Sequence, residues 1–384
     1  MAESRWLRWI GTGIVALGAV GVIAATTLGA GDRPWAPPAC SRPPGDVIAA
    51  VRAPRPVTPA GLPGEVSFRV GPLLDRAGAL SGQRLAVGVG DARVTRSWEL
   101  PRESFADGPW GGEILVGTDD GTVSRIYALD AAAGCARTLA TERDVIRRAT
   151  VDPLGAAIIE TRVDRVSRAD LGVWRRALDG GPARRLLEPL AADARFGRTF
   201  STELAWDVKG DRLAIQSCGE VACRTRIVAR DGRLAAELAL TDLGPLVGID
   251  GDRLVSYGAC RGLPCPIIST DLVTGARRIL VADGGPAIVV ASPDGAQLVS
   301  EAPSATGRVL RSVALDGVQP TELGPIPDGL ALRLDVARSA AATRIPQGWV
   351  LLAGDPAAVD RPSARSQLRR IPDGATVPFD EVIR

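Results

Sequence analysis

The feature that most constrains this chain is a recurring unit: a Gly-rich turn, a compact apolar strand, a loop, a second strand, a turn at Asp or Gly, and a third strand. Its second half reads "YALDAAAGCARTL" from Tyr127, "RRALDGGPARRLL" from Arg175 and "IVARDGRLAAEL" from Ile227. It returns as "ISTDLVTGARRIL" from Ile268, "SVALDGVQPTEL" from Ser312 and "RRIPDGATVPF" from Arg369. The turn aspartates are Asp130, Asp179, Asp231, Asp271, Asp316 and Asp373, at spacings of 49, 52, 40, 45 and 57 residues. Ahead of them stand compact apolar strands such as "GGEILVGT", "KGDRLAIQS" and "DGDRLVSYG", and the better-formed units add one more apolar stretch, "LVGI" or "AIVVAS". That makes four strands per unit at a repeat-protein period.

A four-stranded sheet of this size cannot bury both faces alone; radial packing against its neighbours does so and leaves only short edges. The pattern therefore predicts an all-β chain folded as a β-propeller of four-stranded blades. Six units are clear between about 107 and 384, and a weaker one lies at 65–106 in "VSFRVG", "QRLAVGVG" and "RVTRSWEL". Seven blades are expected, with six plus extra amino-terminal strands as the alternative. No helical period of useful length follows the amino-terminal segment, which disfavours a two-domain α/β fold. The aspartates read as turn residues, because Asp caps its own backbone and Gly accepts positive φ.

Absences narrow the chemistry. The chain has 384 residues, no His and a net charge of +2. Ser-His-Asp and Cys-His catalysis and histidine metal ligation are thereby excluded. Lys209, the only lysine, sits in the turn "DVKGD". No Walker-type Gly-Lys-Ser/Thr and no large basic footprint exist, so neither nucleotide nor nucleic-acid binding is expected. No cofactor and no metal are expected.

The first residues carry Arg5 and Arg8, followed by an uncharged stretch from Ile10 to Ala30. As a helix it would extend about 31 Å, enough for a ~30 Å hydrocarbon core. A single amino-terminal transmembrane helix is expected, with the rest of the chain outside the cytoplasm. A signal peptide cleaved near Val22-Ile23-Ala24 is the alternative. The expected organisation is a cytoplasmic start and anchor at 1–31, a Pro/Gly-rich linker at 32–64 and a propeller at 65–384.

At "ASPDGAQLVSEAPSATGRVLRSVALDG", residues 291–317, the chain resembles the TolB-like propeller repeat family. "WDVKGDRLAIQS" and "VDPLGAAIIET" carry degraded forms of the same first half. The resemblance implies a fold and no particular activity, since the family includes periplasmic binding scaffolds and the propeller portions of some peptidases. A peptidase of that kind would need an additional hydrolase domain, and none is expected within these 384 residues.

Six cysteines follow the apolar stretch: Cys40, Cys135, Cys218, Cys223, Cys260 and Cys265. An even count in an exported chain favours disulfides. Cys218/Cys223 and Cys260/Cys265 each span a loop between the second and third strands of a unit, where a hairpin disulfide is expected over a shared zinc site. Cys40 and Cys135 are left to pair, fastening the linker to the first clear blade.

Propellers bind on the face carrying the loops between second and third strands. Here those loops include 162–172 and 354–367, with Arg162, Arg165, Arg168, Arg361 and Arg365 as candidate ligand-binding residues. The expected function is a monomeric, membrane-tethered scaffold that binds a protein or a cell-envelope ligand without catalysis, hence not an enzyme. The alternative is an envelope hydrolase or lyase using carboxylates and arginines at the channel.

Overall fold

The computed structural model describes residues 35, 37–40, 66–74, 80–89, 94–110, 113–130, 133–152, 157–190, 201–207, 209–219, 223–240, 243–258, 263–317, 319–332, 348–354, 367–371 and 373–378. They form seven antiparallel sheets in chain order, the blades of an all-β propeller. Blade 1 has three strands, β1 (Val66–Leu74), β2 (Leu80–Val89) and β3 (Val94–Leu100); the other six have four each. Blade 2 is β4 (Glu103–Trp110), β5 (Glu113–Asp119), β6 (Ser124–Asp130) and β7 (Cys135–Glu142). Blade 3 is β8 (Val145–Val151), β9 (Ala157–Val163), β10 (Asp170–Ala177) and β11 (Arg184–Leu187). Blade 4 is β12 (Ser201–Trp206), β13 (Arg212–Cys218), β14 (Cys223–Ala229) and β15 (Leu234–Leu240). Blade 5 is β16 (Leu243–Asp250), β17 (Arg253–Gly258), β18 (Cys265–Asp271) and β19 (Arg277–Gly284). Blade 6 opens with β20 (Ala287–Ser292), and blade 7 occupies described residues from Leu330 to Pro378.

The core lies between blades. Six apolar clusters each join two consecutive blades, from blades 1 and 2 (Leu85 and Val87 with Ile114 and Val116) to blades 6 and 7 (Ile288 and Val299 with Leu332 and Val350). Alternation within one strand feeds both neighbours: Ile114 and Val116 face blade 1, while Leu115 packs with the blade 3 residues Ile146 and Ile158. Such strands read as continuous apolar runs because neither face meets water. The first strands of consecutive blades, β1 through β20, pack side by side and surround the channel.

The turns between third and fourth strands obey the expected chemistry. Carboxylate oxygens of Asp130, Asp179, Asp231, Asp271 and Asp373 accept backbone amides two or three residues on. Gly180 and Gly232 follow with φ of 91° and 93°, a region that costs L side chains strain. Gly117 answers a different need. It lies opposite Phe105 across β4–β5, and a Cβ there would stand 2.1 Å from the ring.

Two disulfides are resolved as pairs, Cys40–Cys135 and Cys218–Cys223. Cys218 and Cys223 face each other across β13–β14, their Cα atoms 3.9 Å apart, and close the loop between those strands. Cys265 is disulfide-bonded, and Cys260 lies outside the described residues. These thiols are therefore not zinc ligands. Residues 37–40 lie parallel to the start of β7, with Cys40 N–H donating to the Ala136 carbonyl at 3.1 Å and Ala136 N–H to Pro38 at 2.8 Å. Trp35 completes the seal edge-on to Tyr127, ring centroids 5.0 Å apart. The disulfides assign the domain to an oxidising, extracytoplasmic compartment.

Among the described residues no helix is long and apolar enough to cross a membrane. The apolar stretch 10–30 lies outside them, as do the linker residues 41–64.

Closing a long loop removes more unfolded-state entropy than closing a short one. Cys40 and Cys135 are 95 residues apart, against 5 for Cys218 and Cys223. Replacing the first pair by serines should cost about 4.7 kcal/mol and the second about 2. Denaturant unfolding of the two double variants checks the order.

Candidate active site at the channel mouth

Because the strands alternate in direction, the loops joining second to third strands and the links between blades share one end of the propeller. Glu103 starts β4 and Asp119 ends β5 at this end, and the two are direct partners across the strand pair. Opposed residues on antiparallel strands have Cβ atoms about 4.5–5.5 Å apart, and like charges so placed repel. The next blade supplies the compensation. Arg165 donates two bonds to Asp119, at 2.8 and 2.7 Å. Arg168 reaches Glu103 at 2.6 Å and Arg147 reaches the same carboxylate at 3.3 Å.

Local backbone devices aim these arginines. Arg147 occupies a β-bulge, where the β8–β9 register shifts between Ile146 and Arg148; a bulge re-aims the side chain it carries. The β9–β10 loop is wound about Asp164, whose carboxylate accepts the amides of Val166 and Ser167. Arg168 leaves that turn with φ 61°, the only non-glycine residue with positive φ among the described residues. Such conformations cost of order 1 kcal/mol or more and gather at functional sites.

The two carboxylates differ in setting. Burial alone would raise the Asp119 carboxyl, but hydrogen bonds from Arg165, Ser124 and the Gly121 amide outweigh it and hold the group below its ordinary value. Asp119 thus stays ionised. Its side chain is 6% exposed, whereas that of Glu103 is 42% exposed. Burial also pulls the Arg147 guanidinium below its ordinary value, against the pull of Glu103. The outcome is one fixed anion, one accessible carboxylate and arginines at their edge, a set able to move a proton while holding negative charge.

The candidate arginines separate. Arg165 and Arg168 belong to this cluster. Arg162, nine-tenths buried, turns between blades 2 and 3, pairs with Glu160 and Glu142 and stacks over Trp174 at 4.4 Å. Arg361 and Arg365 lie outside the described residues. Glu103, Asp119 and Arg147 were not singled out from the sequence, and no local pattern reveals that Glu103 faces Asp119. Among the described residues no group of three or more Cys, Asp or Glu side chains is arranged to hold a metal.

No protein-family pattern matches this chain, and no curated protein matches it. Solved structures do. TolB from Acinetobacter baumannii is similar at 14% identity over 66% of this chain and 62% of its own, with a TM-score of 0.41. A puromycin-hydrolyzing peptidase of Mycobacterium tuberculosis is similar at 16% identity over 90% of this chain and 56% of its own, TM-score 0.46. Oligogalacturonate lyase from Vibrio parahaemolyticus is similar at 12% identity over 82% and 85%, TM-score 0.47. The chain thus spans between half and two thirds of the first two proteins. The likeness is one of fold, TolB-like and propeller-shaped.

These comparisons correct two expectations, that the chain is a binding scaffold without catalysis and that it is not an enzyme. Several of the similar solved structures, alike in fold only, are enzymes by name, peptidases and a lyase, so this fold does not exclude catalysis. The physical reason is that a propeller supplies only a rigid ring of loops; what those loops carry decides the chemistry.

The pH dependence follows from Asp119. Its folded value is depressed, so its contribution to stability is complete above the unfolded carboxyl value of about 3.9 and is lost as pH falls below it. Asp119→Asn should cost about 1.5–3 kcal/mol at neutral pH and flatten the acid limb. Thermal unfolding of both proteins from neutral pH into acid checks both statements.

Proposed function

We propose that this chain is an extracytoplasmic cell-envelope hydrolase or lyase whose chemistry sits at the propeller's channel mouth. The observation that carries the reading is the opposed pair Glu103 and Asp119, bridged by arginines of the next blade. Glu103, the accessible member, transfers the proton. Asp119 remains an anion and, through Arg165, fixes the β9–β10 loop. Arg147 and Arg168 both address Glu103, two cations for one carboxylate, which suits an anionic envelope polymer as substrate. The apolar stretch 10–30 tethers the enzyme to the membrane as a single span, with the propeller outside.

The test is turnover of a panel of anionic envelope polymers, followed as new reducing ends for hydrolysis and as ultraviolet absorbance of an unsaturated product for elimination. Glu103→Gln should lower the rate at least about a hundredfold with an unchanged fold. Arg168→Gln should act mainly on KM. Product formation at the parent rate by Glu103→Gln would overturn the assignment.

A further inference from the structure

A cavity of about 280 Å³ opens between blades 4 and 5 at the end of the propeller carrying the third-to-fourth-strand turns, opposite the channel-mouth cluster. Its apolar lining is Ile227 and Ala229 of β14, Ala235 and Ala236 of β15, and Leu272 and Val273 from the turn after β18. The alanines make the space: this is the open end of the core between the two blades, where Ala236 and Leu272 pack against Ile227 and Leu254. Val273 is 77% exposed at the rim, apolar surface that no described residue covers.

Charge at the cavity is unbalanced. Arg212 donates to Asp252 at 2.6 Å and to the Gly251 carbonyl at 3.0 Å, so one cation is neutralised across the blade boundary. Arg233 also lines the cavity, and its guanidinium has no hydrogen-bond or ion-pair partner among the described residues. Among the described residues Arg233 is thus a cation without a partner beside an apolar floor. A small ligand meets both demands only if it joins an aliphatic body to a single anion, and a planar carboxylate matches the fork of a guanidinium.

We infer that this cavity binds an aliphatic monocarboxylate, its chain on Ile227, Ala229 and Ala236 and its carboxylate on Arg233. The volume corresponds to roughly nine waters' share of liquid, which sets the size of the ligand at about nine non-hydrogen atoms. The site lies on the opposite end from Glu103 and stands or falls independently of the proposed chemistry there.

Heptanoate is the probe, titrated into the purified full chain by calorimetry, with heptanol and heptylamine as controls for the apolar body and the charge. Saturable binding of heptanoate is expected at one site, at least tenfold tighter than either control. Arg233→Gln, an exposed substitution that leaves the Arg212–Asp252 pair intact, should weaken it about tenfold. Ala236→Leu should abolish it by filling the cavity. Heptanol binding as well as heptanoate, either variant binding like the parent, or no saturable binding would overturn the inference.

Discussion

Burial of sheets on both faces is the constraint on which the rest of this molecule depends. β9, in the middle of blade 3, has all seven residues buried. A strand in that position cannot hide on one side and be wetted on the other, so blade 3 is stable only between blades 2 and 4. The repeat is a consequence: the same apolar alternation must recur so that each interface finds its complement. The polar residues caught at these interfaces are then forced into pairs. Glu160 is fully buried and is met by Arg162 and Arg176, and Glu301 of blade 6 is held by Arg308 while accepting the Leu332 amide of blade 7. Unpaired, either carboxylate would cost several kcal/mol.

The channel-mouth cluster follows the same logic at a surface. Two carboxylates set opposite one another by register would repel if left alone. The neighbouring blade relieves the repulsion with Arg147, Arg165 and Arg168, so the geometry of the cluster is an interface property and not the property of one blade. Rigidity of the interface core beneath it, with Phe105 wedged over Gly117 two residues from Glu103, gives the cluster a fixed floor.

How much of this could be read from the chain alone divides along locality. The blades, the capped Asp turns and the Cys218–Cys223 clamp depend on residues close in sequence, and their patterns are visible in the letters. The pairing of Cys40 with Cys135 came from counting, since the other four fall into two local pairs. The carboxylate pair stayed hidden because it depends on which residue of β4 meets which residue of β5, and a shift of one position would turn Glu103 to the other face. Arg147 stayed hidden for a similar reason, because a bulge leaves no mark in composition. Arg162 looked like its neighbours Arg165 and Arg168, yet strand alternation sends it between the blades.

The strap formed by residues 37–40 also has a mechanical meaning. It runs parallel to β7 and is held by two main-chain bonds and a covalent crosslink. A pull transmitted from ahead of Trp35 is therefore received along the outermost strand of blade 2 as shear, a direction in which several bonds must fail together. The load is taken at the rim, and the ring of inner strands that carries the charged cluster is spared it.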